Sequence, residues 1–140
     1  MIALPGAFSR TCTFTIVGGE SAVCADLAKA IEDYGKVERL AGSNRFETSV
    51  LVAEKYFASP RTAVLAYAWN FPDGLCGGSL AYSLKAPLIL TMTKYEAKAI
   101  EYVKSSGIGA GLVLGDDTLI SDDAVRAIFA MDAADEILVK

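Results

Sequence analysis

The sequence predicts an α/β protein: three layers, a mostly parallel β-sheet with helices on both faces, Rossmann-like or Toprim-like. Three observations predict it. Short β-rich or apolar runs alternate with helix-patterned stretches along the whole chain. The run Pro87-Leu88-Ile89-Leu90-Thr91 is apolar without alternation, as a strand covered on both faces is. Glycine, proline, serine and asparagine punctuate the joins between runs.

Taken in order, Thr13 to Val17 is rich in β-branched residues and ends at Gly18-Gly19. A helix follows from about Ser21 to Tyr34, with Val23, Leu27, Ala30 and Ile31 on one face and Gly35 closing it. Val37 to Ala41 is a short strand that stops at Gly42 and hands over through Ser43 and Asn44 to a helix carrying Val50, Leu51, Ala53, Tyr56 and Phe57. Ser43 and Asn44 suit an N-cap, because their side-chain oxygens accept from N–H groups that the first turn leaves unpaired. Arg45 then falls at a helix start, where the macrodipole disfavours a cation. It needs a compensating partner: a carboxylate, a carbonyl or an anionic ligand.

Ser59-Pro60 breaks the chain before Ala63-Val64-Leu65-Ala66, a buried strand. Trp69-Asn70-Phe71-Pro72-Asp73 leads into a helix of small residues, Gly74 to Leu84, with Pro72 near the first turn that tolerates it. Pro87 opens the next strand. Tyr95 to Ser105 is amphipathic, with Tyr95, Ala99, Tyr102 and Val103 inward and Gly107 ending it. Ala110 to Leu114 is a strand, Asp122 to Ala130 a helix and Glu136 to Val139 a last strand.

The two ends of the chain resemble each other. Moving Gly18 onto Gly115, a shift of about 97 positions, lays Ile16-Val17 on Val113-Leu114, Asp26 on Asp123, Ile31 on Ile128 and Leu40 on Ile137. The organisation expected is one module over residues 1–140, made of one repeat unit of that length and the tail of a preceding unit.

Composition narrows the function classes. With 140 residues, 53% hydrophobic and 21% charged, the chain can bury a core without staples. No apolar run approaches the roughly 20 residues that span a bilayer, so no membrane span is expected. Met1 to Ser9 has no positive n-region and is broken by Pro5 and Gly6, so no secretory signal is read there. Net charge is −4, from 17 acids against 13 bases, which argues against a broad nucleic-acid surface. Three cysteines without a C-x-x-C pattern indicate neither a metal site nor a disulfide framework, and Cys24 and Cys76 read as small core residues. Histidine is absent, which removes every Ser-His or Cys-His nucleophile and the commonest general base. No cofactor, metal site or catalytic residue is expected.

Ligands of parallel sheets gather outside the carboxyl ends of the strands. Four turns with special residues belong there: Gly18-Gly19-Glu20-Ser21, Gly42-Ser43-Asn44-Arg45, Trp69 to Asp73, and Gly115-Asp116-Asp117. They are expected to converge on one rim. Asn70 and Asp73 suit capping, and Asp73 can instead serve as counter-ion to Arg45. Gly115-Asp116-Asp117 is too little for a metal site and is read as complementing a helix dipole. Ile16-Val17-Gly18-Gly19 resembles the mature start of trypsin-like proteases, but a triad needs histidine. Gly107-Ile108-Gly109-Ala110-Gly111 precedes a strand, whereas a phosphate loop must follow one.

Arg39-Leu40-Ala41-Gly42-Ser43-Asn44-Arg45-Phe46-Glu47-Thr48, then Asn70-Phe71-Pro72-Asp73-Gly74-Leu75, then Ala86-Pro87-Leu88-Ile89-Leu90-Thr91, resemble in order the type 2 cell-wall-binding repeat of Gram-positive surface proteins. The resemblance covers roughly Thr13 to Met131. It implies a non-catalytic extracellular module that holds a surface protein on anionic cell-wall polymers, teichoic-acid-like or a secondary wall polysaccharide. It also implies tandem copies beside an effector region, packed in threes, so neighbouring repeat modules and a homotrimer are the expected protein partners. Carried over by position, the ligand-binding residues are Arg39, Asn44, Arg45 and Thr48 from the first motif and Asn70 and Asp73 from the second. Gly74, Cys76 and Ser79 depart from the family pattern. Glycines at 74, 77 and 78 each cost a helix up to about 1 kcal/mol relative to alanine, which puts the rigidity of that helix at issue. The alternative reading is a self-assembly module that packs with neighbouring repeats and binds no ligand of its own.

Overall fold

The computed structural model describes residues 12–69, 71–132 and 135–137, with the side chains of residues 71 and 73 outside the description. The chain divides into two units, Met1–Gly42 and Ser43–Lys140.

In the first unit, β1 (Thr13–Val17) and β2 (Lys36–Leu40) pair in parallel, Thr13 opposite Lys36 through Val17 opposite Leu40. The helix α1 (Ala25–Glu32) makes the crossover that a parallel pair requires. The Gly18 amide donates to the Leu40 carbonyl at 2.8 Å and extends the ladder by one step, with Gly18 at φ +115°. The helix is shorter than the sequence suggests. Amides of Ala22 and Val23 both donate to the Gly19 carbonyl at 3.0 Å, so the expected first turn is a separate tight turn. Asp33, not Gly35, is its C-cap. Gly35 is needed for another reason: a Cβ there would strike the Cys12 carbonyl. The expected inward face is not buried, since α1 contains no buried residue and Leu27 is 51% exposed.

The second unit runs α2 (Arg45–Tyr56), β3 (Thr62–Tyr67), α3 (Phe71–Leu84), β4 (Leu88–Thr91), α4 (Ala97–Ser106), β5 (Ala110–Leu114) and α5 (Asp122–Phe129). Its sheet has the order β4-β3-β5, parallel throughout, with Val64 opposite both Leu88 and Leu112. Alternation along β3 separates the faces. Val64 packs with Ala81 of α3, Ala86, Leu88 and Leu114. Ala63 and Leu65 point the other way, with Ile89, into Val50 and Ala53 of α2, Ala99, Tyr102 and Val103 of α4, and Ile128 of α5. Helices therefore cover both faces, and the α/β, three-layer expectation holds in this unit. β3 is central and reads as a continuous apolar run because both its faces are buried.

Several expectations are corrected. Among the described residues the strands pair as two parallel ladders, one in each unit. Glu136 and Ile137 are not a strand; Arg126 Nη1 donates to the carbonyls of Asp132 and Asp135 at 3.0 Å each and ties the chain into a turn instead. Residues 138 and 139 of that expected strand lie outside the described residues. Tyr95 precedes α4 and is 54% exposed rather than inward. Cys24 and Cys76 are exposed free thiols: Cys24 is the N-cap of α1, and Cys76 sits on the outer side of α3. The acids at 116 and 117 precede no helix directly. Asp116 Oδ1 accepts from the Thr118 amide at 3.0 Å and from its hydroxyl, closing a local turn.

Candidate functional site

At the start of α2 the sequence builds a capped N-terminus. Asn44 is extended, and its Oδ1 accepts from the Glu47 amide at 3.0 Å. Glu47 reaches back, its Oε2 accepting from the Ser43 amide at 2.7 Å and the Ser43 hydroxyl at 2.6 Å. This is a capping box displaced by one residue, and the Asn44-x-x-Glu47 spacing is its signature in the sequence. The Ser43 hydroxyl bond, above all, holds the Glu47 carboxyl below its ordinary pKa. Thr48 donates to the Asn44 carbonyl at 2.9 Å, so both residues serve the cap.

Arg45 leaves this turn as an exposed side chain. Its Nη1 donates to the Ala68 carbonyl at 2.8 Å, and its guanidinium lies 4.2 Å from the centroid of the Trp69 ring. The compensating partners are thus a main-chain carbonyl just past β3 and an aromatic face. The carbonyl bond uses one of the five donors of the guanidinium. Trp69 is held in turn by its indole N–H, which donates to Met92 Sδ at 2.7 Å. Met92 also accepts, through its carbonyl, from the amide of Tyr95 at 2.9 Å, and buried Phe46 stacks on Tyr95 with ring centroids 5.0 Å apart and planes within 12°.

Arg39 belongs to the first unit. It is half-buried on β2, and its Nη1 donates to the Gly18 carbonyl at 2.7 Å. Of the remaining sequence-derived residues, Asn70 lies outside the described residues, and Asp73 falls in the first turn of α3 with its side chain undescribed. The capping and counter-ion roles expected of these two therefore lie outside the description as well. What the structure brings together in the second unit is Asn44, Arg45 and Thr48, joined by Trp69, Phe46, Met92 and Tyr95.

Residues 39–125 match the family model described as cell wall binding domain 2. The chain belongs to the cell wall binding domain 2 family. It is thereby a cell-wall-associated binding module, and the matched span carries the arginine motif, the Asn70 to Asp73 turn and β4. Among curated proteins, an uncharacterized protein of Pyrococcus abyssi is 32% identical over 92 residues, 64% of this chain and 28% of that one. The N-acetylmuramoyl-L-alanine amidase LytC of Bacillus subtilis is 34% identical over 65 residues, 44% of this chain and 13% of the amidase. This chain spans under a third of either relative. Among solved structures, Cwp8 from Clostridium difficile superposes with a TM-score of 0.76 at 27% identity, over 88% of this chain and 20% of that one. Cwp6 from the same organism, at 19% identity and a TM-score of 0.62 over 83% of this chain and 20% of that one, shares the fold.

Two contacts around the arginine turn escaped the sequence reading. Ser49 accepts from the Leu90 amide at 3.1 Å and fastens α2 to the edge of β4; a serine within a helix gives no signal of that. Trp69 stands in a recognised turn, but nothing in the sequence says that Arg45, 24 positions earlier, stacks on it.

Proposed function

We propose that this chain is a non-catalytic module that holds its parent protein on an anionic polymer of the cell surface, teichoic-acid-like or a secondary wall polysaccharide. The observation that carries the reading is Arg45: an exposed guanidinium, placed at the positive end of α2 and immobilised by Ala68 and Trp69. A cation in that position adds to the field of the helix N-terminus instead of cancelling it, and both favour an anion. Charge-assisted bonds from Arg to phosphate or carboxylate are strong and directional. Thr48, Asn44, Asn70, Asp73 and Arg39 complete the set of ligand-binding residues proposed from the sequence. The amidase relative supports a setting in which such a module accompanies a separate effector region.

Retention on purified sacculi tests this. The chain is expected to sediment with the walls, to be released by salt as a guanidinium–anion contact is, and to be retained several-fold less as Arg45→Ala. Retention unchanged after removing both Arg45 and Arg39 overturns the site.

A second reading, self-assembly with neighbouring modules, is favoured by the outer face of α3, where Leu75 is 66% and Tyr82 86% exposed. It has the chain associate into a trimer. Sedimentation as a monomer at high concentration overturns it.

A further inference from the structure

We propose that Trp69 and Tyr95, with Arg45, form a platform for one pyranose ring that carries a phosphate or carboxylate, so that the unit of the polymer recognised is an acidic sugar. This rests on the wall-polymer reading and adds to it an aromatic subsite beside the arginine. Trp69 is 55% exposed yet held at two places, with Arg45 against its ring and its N–H spent on Met92 Sδ. Because the N–H is engaged, the indole offers a ligand its apolar surface and not a hydrogen bond. Tyr95, 54% exposed, is kept flat by stacking on Phe46, itself 5% exposed. Tyr95 is joined to the same corner because its amide donates to the Met92 carbonyl at 2.9 Å.

Two large rings immobilised at the surface lose little freedom when a ligand docks, which is what makes aromatic side chains effective recognition surfaces. The C–H faces of a pyranose are apolar and pack on the ring faces that Arg45 and Phe46 leave open, while its acidic substituent requires a cation close by. Arg45 is that cation, and stacking against it makes the indole surface and the charge one unit. A bare phosphate would use the arginine alone. A neutral sugar would use the rings alone.

The test uses the full chain, whose single tryptophan is Trp69, so its emission reports this corner. Glucose 6-phosphate, which has both ring and charge, is expected to shift the emission at concentrations well below those needed for glycerol 3-phosphate or methyl glucoside. In parallel, Trp69→Ala, confirmed as folded by circular dichroism, should be retained on sacculi about tenfold less, with Trp69→Phe keeping most of the binding. Equal responses to glucose 6-phosphate and glycerol 3-phosphate, or wild-type retention of folded Trp69→Ala, would overturn the platform while leaving the wall-polymer reading intact. Failure of the wild-type chain to bind sacculi, with glucose 6-phosphate still preferred, overturns the wall-polymer reading and leaves the platform.

Discussion

Arg45 shows how one residue can be legible in type and illegible in partner. Its place at a helix start announces an uncompensated cation, and the compensation turns out to be the Ala68 carbonyl and the Trp69 ring. Glu47 behaves in the complementary way, as an acid at the same helix start whose carboxyl pKa is lowered chiefly by the Ser43 hydroxyl. Asp116 is lowered too, first by the Thr118 hydroxyl. For a carboxyl whose folded pKa is depressed, the unfolded chain takes up the proton first as pH falls. The stabilisation is therefore complete above the ordinary carboxylate range and is lost as pH drops through the lowered values. Acid titration of thermal stability is expected to show a steeper loss in that window for the wild type than for Glu47→Gln, which starts less stable and has less to lose. Identical slopes for the two proteins would contradict the bond pattern at Ser43.

At the scale of elements, α3 holds three glycines whose roles differ. Gly77 is the one packed against the sheet, because a Cβ there would lie 2.7 Å from Leu114 Cδ1 and 3.0 Å from Leu88 Cδ1, and both leucines would have to shift. Gly74 and Gly78 have open space where a Cβ would go. The three glycines thus allow a close helix–sheet contact at Gly77 and only spend helix propensity at Gly74 and Gly78. Gly78→Ala is expected to raise stability by up to about 1 kcal/mol, and Gly77→Ala to lower it, as measured by denaturant midpoint. A second comparison lies between α1 and α5. The elements β1 and α1 recur as β5 and α5 at the spacing that superposes Gly18 on Gly115, and both glycines have positive φ, +115° and +135°. The N-caps differ: Ser121 accepts from the Ala124 amide at 3.3 Å, while Cys24 makes no side-chain cap bond. Cys24→Ser should add about 1 kcal/mol to α1, visible as slower amide exchange in residues 26–28.

At the scale of the molecule, burial is uneven. Among the described residues the first unit contributes Ile16, 7% exposed, to the buried apolar residues, whereas Val64, Leu65, Ala66 and Ile89 of the second are fully buried. Amide protection follows buried apolar contact, so hydrogen exchange is expected to be orders of magnitude faster in β1 and β2 than in β3. Equal protection would mean that the first unit draws stability from elsewhere. The contrast also marks what could be read in advance. The class of fold, the parallel strands, β3 as a buried run, Gly107 as a helix stop and the family itself were legible in the sequence, because periodicity, turn chemistry and a contiguous motif are local properties of the chain; β4, expected to be covered on both faces, is an edge strand with Leu88 and Leu90 only half-buried. The exposed Cys24, Cys76 and Tyr95, the division into two ladders, the true use of Gly35 and Gly77, and the stacking of Arg45 on Trp69 were decided by tertiary structure. Each depends on which surfaces meet across long stretches of sequence, and solvent exclusion and steric fit at those meetings leave no periodic trace in the residues that make them.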